Sequence, residues 1–275
     1  MTDHHSIVDR ISDLPWNILD NILGNLLIKA VGRTSILSKK WRYKWVDLSN
    51  LLFSGECGKR IDLRSDRLLD LVYQVLLTHR GQIDKFMLYA DQIDDVLHFN
   101  DWIVVLRKKG IKNLTFDFSY SMPKDYLPLS LFSCQQLNHL CVTNCIVDIP
   151  ETFKGFSNLV SLQLIRFSVY DDLFESLVRS CPMLERLVLS DFDYMDCLNI
   201  NAPKLKYFHV EGEFSDICIE SSPLLVDVSV TLTSDKYVYA EGRIQAKRRN
   251  SIWSLCCLSQ VKNLAFSGSS FQVSG

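Results

Sequence analysis

The chain carries nine cysteines, at 57, 134, 141, 145, 181, 197, 218, 256 and 257, and six histidines, at 4, 5, 79, 98, 139 and 209. These side chains are the ones best able to hold a metal, close a disulfide or attack a substrate, so their spacing is the first test of what chemistry the chain could perform. No Cys-x-x-Cys occurs, and an odd number of scattered thiols fits neither a disulfide framework nor a zinc site. The histidines form no His-x-x-x-His pair, no serine sits in Gly-x-Ser-x-Gly, and no glycine-rich loop ends in Lys-Ser or Lys-Thr. The cysteines therefore read as small core residues, and a lone histidine such as His209 as a surface or hydrogen-bonded group. The expectation is a protein that is not an enzyme and has no catalytic residue, metal or cofactor.

Without a reaction centre, function must lie in surfaces, and the elements that build them come next. The chain has 275 residues, 47% of them hydrophobic, and a net charge of only -2, enough to bury one large core or two unequal ones. Its longest apolar runs are broken by charges well short of the ~20 residues of a membrane span. "MTDHHSIVDR" lacks the basic-then-apolar order of a secretory signal, so the expectation is an intracellular protein, cytoplasmic or nuclear or both, starting at its own first residue with reduced thiols.

A six-residue frame, apolar-x-x-apolar-x-apolar, fits "IDKFML" at 83, "IKNLTF" at 111, "LNHLCV" at 137, "LVSLQL" at 159, "LERLVL" at 184, "LKYFHV" at 205, "LVDVSV" at 225 and "VKNLAF" at 261. The starts are 28, 26, 22, 25, 21, 20 and 36 residues apart, mostly inside or near the ~20–29 residue period of leucine-rich repeats, with an insertion before the last. An ordinary α/β domain would not repeat an apolar anchor three residues before each alternating pair. Each frame predicts a short strand with one buried face, and successive strands stack in parallel. Helix-like stretches lie between them: "DRLLDLVYQVLLTHRG", "DDVLHFNDWIVVLRKKG" with its Lys-Lys-Gly stop, and "YDDLFESLVRSCP", which opens on acids and closes on Arg, Cys and Pro. Pro182, Pro203 and Pro223 stop what precedes the strand in "CPML", "APKL" and "SPLL".

In such a solenoid the outward strand positions lie side by side on the concave face and make an extended binding surface. Tyr89, Asp117, Thr143, Gln163, Arg186, His209 and Glu211 are the candidate target contacts there. The face mixes both signs of charge with small residues and lacks the Lys/Arg concentration of a nucleic-acid site, so a protein or peptide is the expected ligand. "AKRRN" at 246–250 reads as a solvated loop ahead of a nuclear signal.

The stretch from Trp16 to Trp45 sets aliphatics, three tryptophans and six basic residues against one acid. Ser12 or Asp13 is a candidate cap and Pro15 lies near the first helical position. Leu14, Ile18, Leu19, Ile22, Leu23 and Leu26 then form one apolar stripe. A second short helix is predicted around "AVGRTSIL" and a third from Ser38, with Trp41 and Trp45 on one face, four residues after Leu37. Three helices in about forty residues cannot bury this much apolar surface alone, and the excess invites a partner.

"DRISDLPWNILDNILGNLLIKAVGRTSILSKKWRYKW" resembles the F-box of plant F-box proteins. The remainder, notably "LFSCQQLNHLCVTNC", "TFKGFSNLVSLQL", "SLVRSCPMLERLVL" and "INAPKLKYFHVEGEFSDICIE", resembles the repeats of the plant F-box/FBD/LRR family. The resemblance implies an α/β chain with a three-helix F-box at 8–48, a linker and first helical element at 49–82, and a leucine-rich-repeat solenoid at 83–275 with a parallel sheet on its concave face. It implies a substrate-recognition subunit of an SCF-type ubiquitin ligase. The F-box would dock on a Skp-family adaptor, and through it a cullin scaffold, with contacts at Leu14, Pro15, Ile18, Ile22, Leu23, Leu26, Leu37 and Trp41. The repeats would hold an unknown target protein, with no nucleic acid or membrane involved.

The match departs from the family at Leu26-Leu27, where Leu-Pro is usual, at Ala30, where Asp is common, and at Gly32, normally apolar. Glycine in a helix costs ~1 kcal/mol against alanine and a lost buried aliphatic ~1.5–3 kcal/mol, so weakened adaptor binding is one alternative. The expectation is that the family's C-terminal FBD segment is missing and that the solenoid is truncated or uncapped at its C-terminal end. Hormone sensing is a further alternative but would need a cationic pocket. A DNA-binding helix-turn-helix ranks last, because the tryptophans occupy the apolar face of its basic helix.

Overall fold

The anchors of the first seven frames are the most deeply buried part of the molecule. In a computed structural model that describes residues 11–36, 39, 41–54, 65–90, 99–118, 124–193, 195, 197–233 and 261–268, all three apolar positions of each are withdrawn from solvent, from Ile83, Phe86 and Leu88 to Leu225, Val228 and Val230. Period-two alternation forces this, because only one face of each strand can turn inward.

Every frame is a strand. The chain runs through β1 (Asn50–Ser54), β2 (Lys85–Tyr89), β3 (Asn113–Asp117), the two-residue β4 (Asp125–Tyr126), β5 (His139–Ile146), β6 (Ser161–Ser168), β7 (Arg186–Asp193), β8 (Cys197–Asn201), β9 (Tyr207–Gly212), β10 (Asp216–Ser221), β11 (Asp227–Leu232) and β12 (Asn263–Gly268). The main sheet has the order β1-β2-β3-β5-β6-β7-β9-β11-β12, all parallel, with β4 attached to β5. This is the leucine-rich-repeat solenoid that the period predicted, a mixed α/β fold around one large parallel sheet.

The register does not drift. Asn50, Lys85, Asn113, His139, Ser161, Arg186, Tyr207, Asp227 and Asn263 are aligned across the sheet, and each stands two residues after its frame's first anchor. The same carbonyl in each repeat accepts two N–H groups from the next: Ser49 from Asp84 and Lys85, Asp84 from Lys112 and Asn113, and so on to Val226 from Lys262 and Asn263. That repeated fork locks each strand's entry to its neighbour's.

The opposite face shortens with the repeats. α3 (Ser65–Thr78) joins β1 to β2, α4 (Phe99–Lys108) joins β2 to β3, and α5 (Asp171–Arg179) joins β6 to β7. In the two shortest repeats the return is extended instead, and β8 and β10 pair as a separate two-stranded sheet. A strand covers the return at about 3.3 Å per residue against about 1.5 Å for a helix, so a short repeat can close only with a strand. One helix stop and one recurrent turn are legible in detail. Gly110 takes φ +81 beyond α4, with Gly110 N–H donating to Arg107 and Ile111 N–H to Leu106, the Schellman arrangement. Pro182, Pro203 and Pro223 sit second in turns closed by Leu184 on Cys181, Leu205 on Ala202 and Leu225 on Ser222.

Two expectations change. The stretch 49–82, expected to be a linker and a helix, begins with strand β1, because Leu48, Leu51 and Phe53 repeat the same frame and are all buried. The third helix expected from Ser38 is, among the described residues, turns leading into a 3-10 turn at Lys44–Asp47.

Candidate docking stripe and concave face

α1 (Trp16–Leu23) is apolar on both sides, and the two sides have different fates. Leu19 and Leu23 turn inward and join the core that continues through the sheet. Pro15, Trp16, Ile18, Ile22 and, in the following turn, Leu26 turn outward, with Ile18 42%, Ile22 46% and Leu26 40% exposed. The four-residue spacing from Ile18 to Ile22 to Leu26 keeps all three on one line. The expected docking set therefore narrows. Leu23 (2% exposed) and Trp41 (6%) are core residues, because their chemistry is already satisfied within the chain. Leu14 is half-buried against the same core, and Leu37 lies outside the described residues. The expected side-chain cap is also absent: α1 starts on the Pro15 carbonyl, while the Ser12 hydroxyl accepts the Trp41 indole N–H at 2.6 Å.

This helical unit is fastened to the first strand at three points. The Asp20 carboxylate accepts Ser49 N–H at 2.9 Å and the Ser49 hydroxyl at 2.5 Å. Gly24 lets the end of α1 approach β1, since a Cβ there would stand 2.9 Å from the Asn50 Cβ and 2.8 Å from the Asp20 carbonyl. Leu27 forms a parallel bridge with Leu52, so the residue in the usual proline position extends the sheet. α2 (Ile28–Thr34) follows from Leu27 without a side-chain cap, and Ala30 N–H and Val31 N–H donate to the Leu27 carbonyl. Gly32 faces open space, with nothing within 4 Å of a Cβ built there. Its missing side chain therefore leaves no hole in this chain's core, and any loss falls on the surface.

The concave face is three rows of side chains set by the register. The row at the strand starts holds Lys85, His139 and Arg186, and Asp227 near its far end. The middle row runs Leu52, Met87, Thr115, Cys141, Gln163, Val188 and His209, and the third row holds Tyr89, Asp117, Thr143, Ile165 and Glu211. The Arg186 guanidinium lies 3.8 Å from the centre of the Tyr207 ring, and His209 Nε2 is 4.0 Å from Glu211. Burial, reinforced by the Asp117 charge, pushes the Cys141 thiol up to about 11, so the middle row stays uncharged there. Burial, with Cys141 and Asp117 nearby, also raises Tyr89. Of the seven expected target contacts, six are reachable from solvent. Thr143 is 4% exposed, so it shapes the floor and offers little contact.

Beyond the third row, β5, β6 and β7 bulge together. Asn144, Arg166 and Asp191 all take positive φ, and the register skips each of them. Asn and Asp tolerate this conformation; Arg166 is set beside Asp191, with Nε 3.7 Å from its carboxylate. An open cleft of about 460 Å³ lies beside the last strands, lined by Tyr207, Asp227, Ser229, Lys262, Asn263 and Ala265 among others. One aspartate and one lysine do not make the cationic pocket that an acidic hormone would require.

Among the described residues no group of three or more His, Cys, Asp or Glu could hold a metal, and no helix is long and apolar enough to cross a membrane. Residues 246–250, Cys57, Cys256 and Cys257 lie outside the described residues.

A small helical unit whose outer face is apolar, built onto a leucine-rich-repeat solenoid, defines a two-part chain of the F-box and leucine-rich-repeat class. The F-box domain family matches residues 11–53, and the family described as "FBD-associated F-box protein At5g56370, LRR repeats" matches residues 99–273. The chain belongs to the F-box/FBD/LRR-repeat family. It is 40% identical over 227 residues to the F-box/FBD/LRR-repeat protein At1g13570 of Arabidopsis thaliana, covering 82% of this chain and 54% of that one. The F-box/LRR-repeat protein At3g26922 of the same plant is 26% identical over 257 residues, with 81% of this chain and 82% of that one covered. The chain thus spans about half the length of the first of these relatives. No solved structure matches it.

Proposed function

We propose that the chain is the substrate-recognition subunit of an SCF-type ubiquitin ligase. Its F-box docks on a Skp-family adaptor, and through it a cullin, while the concave face holds the target protein; bond-making belongs to other subunits. The observation that carries this is the outward stripe of Pro15, Ile18, Ile22 and Leu26, which the described residues leave exposed. The F-box unit lies at about 8–48 and the repeats continue from there, with Tyr89, Asp117, Gln163, Arg186, His209 and Glu211 as target contacts.

The test is calorimetric titration of the chain with a plant Skp-family adaptor. Complete burial of an aliphatic side chain is worth ~1.5–3 kcal/mol, and a little under half of Ile18, Ile22 and Leu26 is still exposed. The triple variant Ile18→Ser/Ile22→Ser/Leu26→Ser should therefore lose about 2–4 kcal/mol of binding, roughly 30- to 1000-fold in Kd, measured below the variant's own Tm because the shielded parts of these side chains also contribute to stability. Equal affinity of variant and parent would sink the proposal. Gly32→Val separates the weakened-docking alternative: an affinity gain places Gly32 within the interface.

A further inference from the structure

The fixed register assigns a charge pattern to the concave face. Lys85 and Arg186 stand in the first row on β2 and β7, four strand steps apart, and Asp117 and Glu211 stand in the third row on β3 and β9, also four steps apart and displaced by one strand. At about 4.8 Å per step, each like-charged pair is separated by roughly 19 Å at the backbone. The two rows lie four residues apart along each strand, about 13 Å, with the largely uncharged middle row between them.

An extended polypeptide laid over the middle row has these dimensions. Its side chains alternate between the two rims, and six residues at about 3.3 Å each span roughly 20 Å, the separation of each pair. A residue at i+1 points to the opposite rim about 3 Å further on, close to the one-strand displacement. We infer that the face binds an extended protein segment carrying Glu or Asp at i and i+6 toward Lys85 and Arg186, and Lys or Arg at i+1 and i+7 toward Asp117 and Glu211, with small or apolar residues between. The segment must run from β2 toward β9, because reversing it puts each basic residue on the wrong side of its acidic neighbour, about 8 Å from Asp117 or Glu211. The inference rests on the concave face being the target surface.

The test is fluorescence anisotropy with 12-residue labelled peptides on the whole chain. One probe carries Glu at positions 2 and 8 and Lys at 3 and 9; its isomer exchanges only positions 8 and 9, placing one wrong charge on each rim. The first should bind about tenfold tighter, the scale that four exposed ion pairs carry together, and the difference should shrink at high salt. The variant Lys85→Glu/Arg186→Glu makes both rims acidic, so each isomer then meets two favourable and two unfavourable charges: the difference between them should vanish, and a peptide with Lys at all four positions should bind the variant tighter than either. Equal binding of the two isomers to the unaltered chain, no binding of either, or a difference between them that persists in the variant overturns the inference. The wider reading is tested separately by proteins that co-purify with the chain from plant cells. If Lys85→Glu/Arg186→Glu leaves all of them bound, the concave face is not the target surface; if it releases them while the isomers bind equally, only the segment's pattern is wrong.

Discussion

Leu48 is the residue on which the helical unit and the solenoid both depend, and Leu48→Ala tests that directly. It is the first anchor of the frame that forms β1, it is fully buried, and it lies in one continuous core with Leu19, Leu23, Phe53 and Val72. Removing a leucine's outer carbons from so closed a site costs ~2–5 kcal/mol, the spread reflecting how far the surroundings collapse. In a solenoid each repeat contacts only its neighbours, so that loss should be local. At 1.4 kcal/mol per factor of ten, amides of α1, α2, β1 and α3 should lose about 30- to 4000-fold of their hydrogen-exchange protection, while those of β9 and β11 keep theirs. Leu184→Ala, the corresponding change ahead of β7, should lower β6, β7 and β9 and spare α1. If Leu48→Ala deprotects β11 as much as α1, the molecule unfolds as one unit. If it deprotects α1 and leaves β1 intact, the two parts do not share a core, and the coupling argued from Asp20, Gly24 and Leu27 is wrong.

Gly32→Ala should raise stability by ~0.5–1 kcal/mol, seen as a Tm increase of about 1–4 °C, because the new methyl group meets nothing and the helix gains propensity. His79 is buried and its Nε2 donates to the Leu48 carbonyl at 2.8 Å; burial foremost lowers its pKa below the ordinary 6.5, against the raising effect of that hydrogen bond. The neutral ring's contribution is thus fully present above pH 6.5 and is lost as pH falls from 6.5 through the lowered folded value, since the unfolded chain takes up the proton first. Urea midpoints measured between pH 7.5 and 5 should fall, and His79→Gln should flatten that slope. Burial pushes the Cys145 and Cys181 thiols up to about 12, so neither should react with iodoacetamide at pH 8 until urea opens the fold. Mass mapping of the modified cysteines checks this.

Most of the sheet was legible because its signal is periodic and geometric. Eight frames gave eight strands in the main sheet, and the small-residue-proline pairs marked the turns before three of them. The ninth strand was equally legible and was missed: "LSNLLF" from Leu48 fits the frame, but it starts 35 residues before the next and adjoins a helical unit, which hid its membership. β8 and β10 were harder, since a return segment of five or six residues carries too few positions to separate a strand from a loop by periodicity. At the candidate docking stripe the sequence could not assign sides. Leu19, Leu23, Ile18 and Ile22 are the same kind of residue at helical spacing, and only the position of β1 decides which pair turns inward. Trp41 shows the same limit: an indole suits a docking surface or a core equally well, and its bond to the Ser12 hydroxyl places it in the core.

The doubly apolar α1 has a physical consequence for how the parts work together. A solenoid's end repeat must present a polar outer surface to remain soluble, and the helical unit occupies that end here, with Leu27 extending the sheet beyond β1. Its outer face instead carries Ile18, Ile22 and Leu26, which the described residues leave partly exposed. An adaptor seated on that stripe would cover it and bear on a helix whose other face is built into the sheet through Asp20, Gly24 and Leu27. Those contacts tie the stripe directly to the first strand of the concave face. Under the proposed function, a target held on the three rows would keep a fixed orientation to the adaptor, set by the packing of Leu19, Leu23 and Leu48.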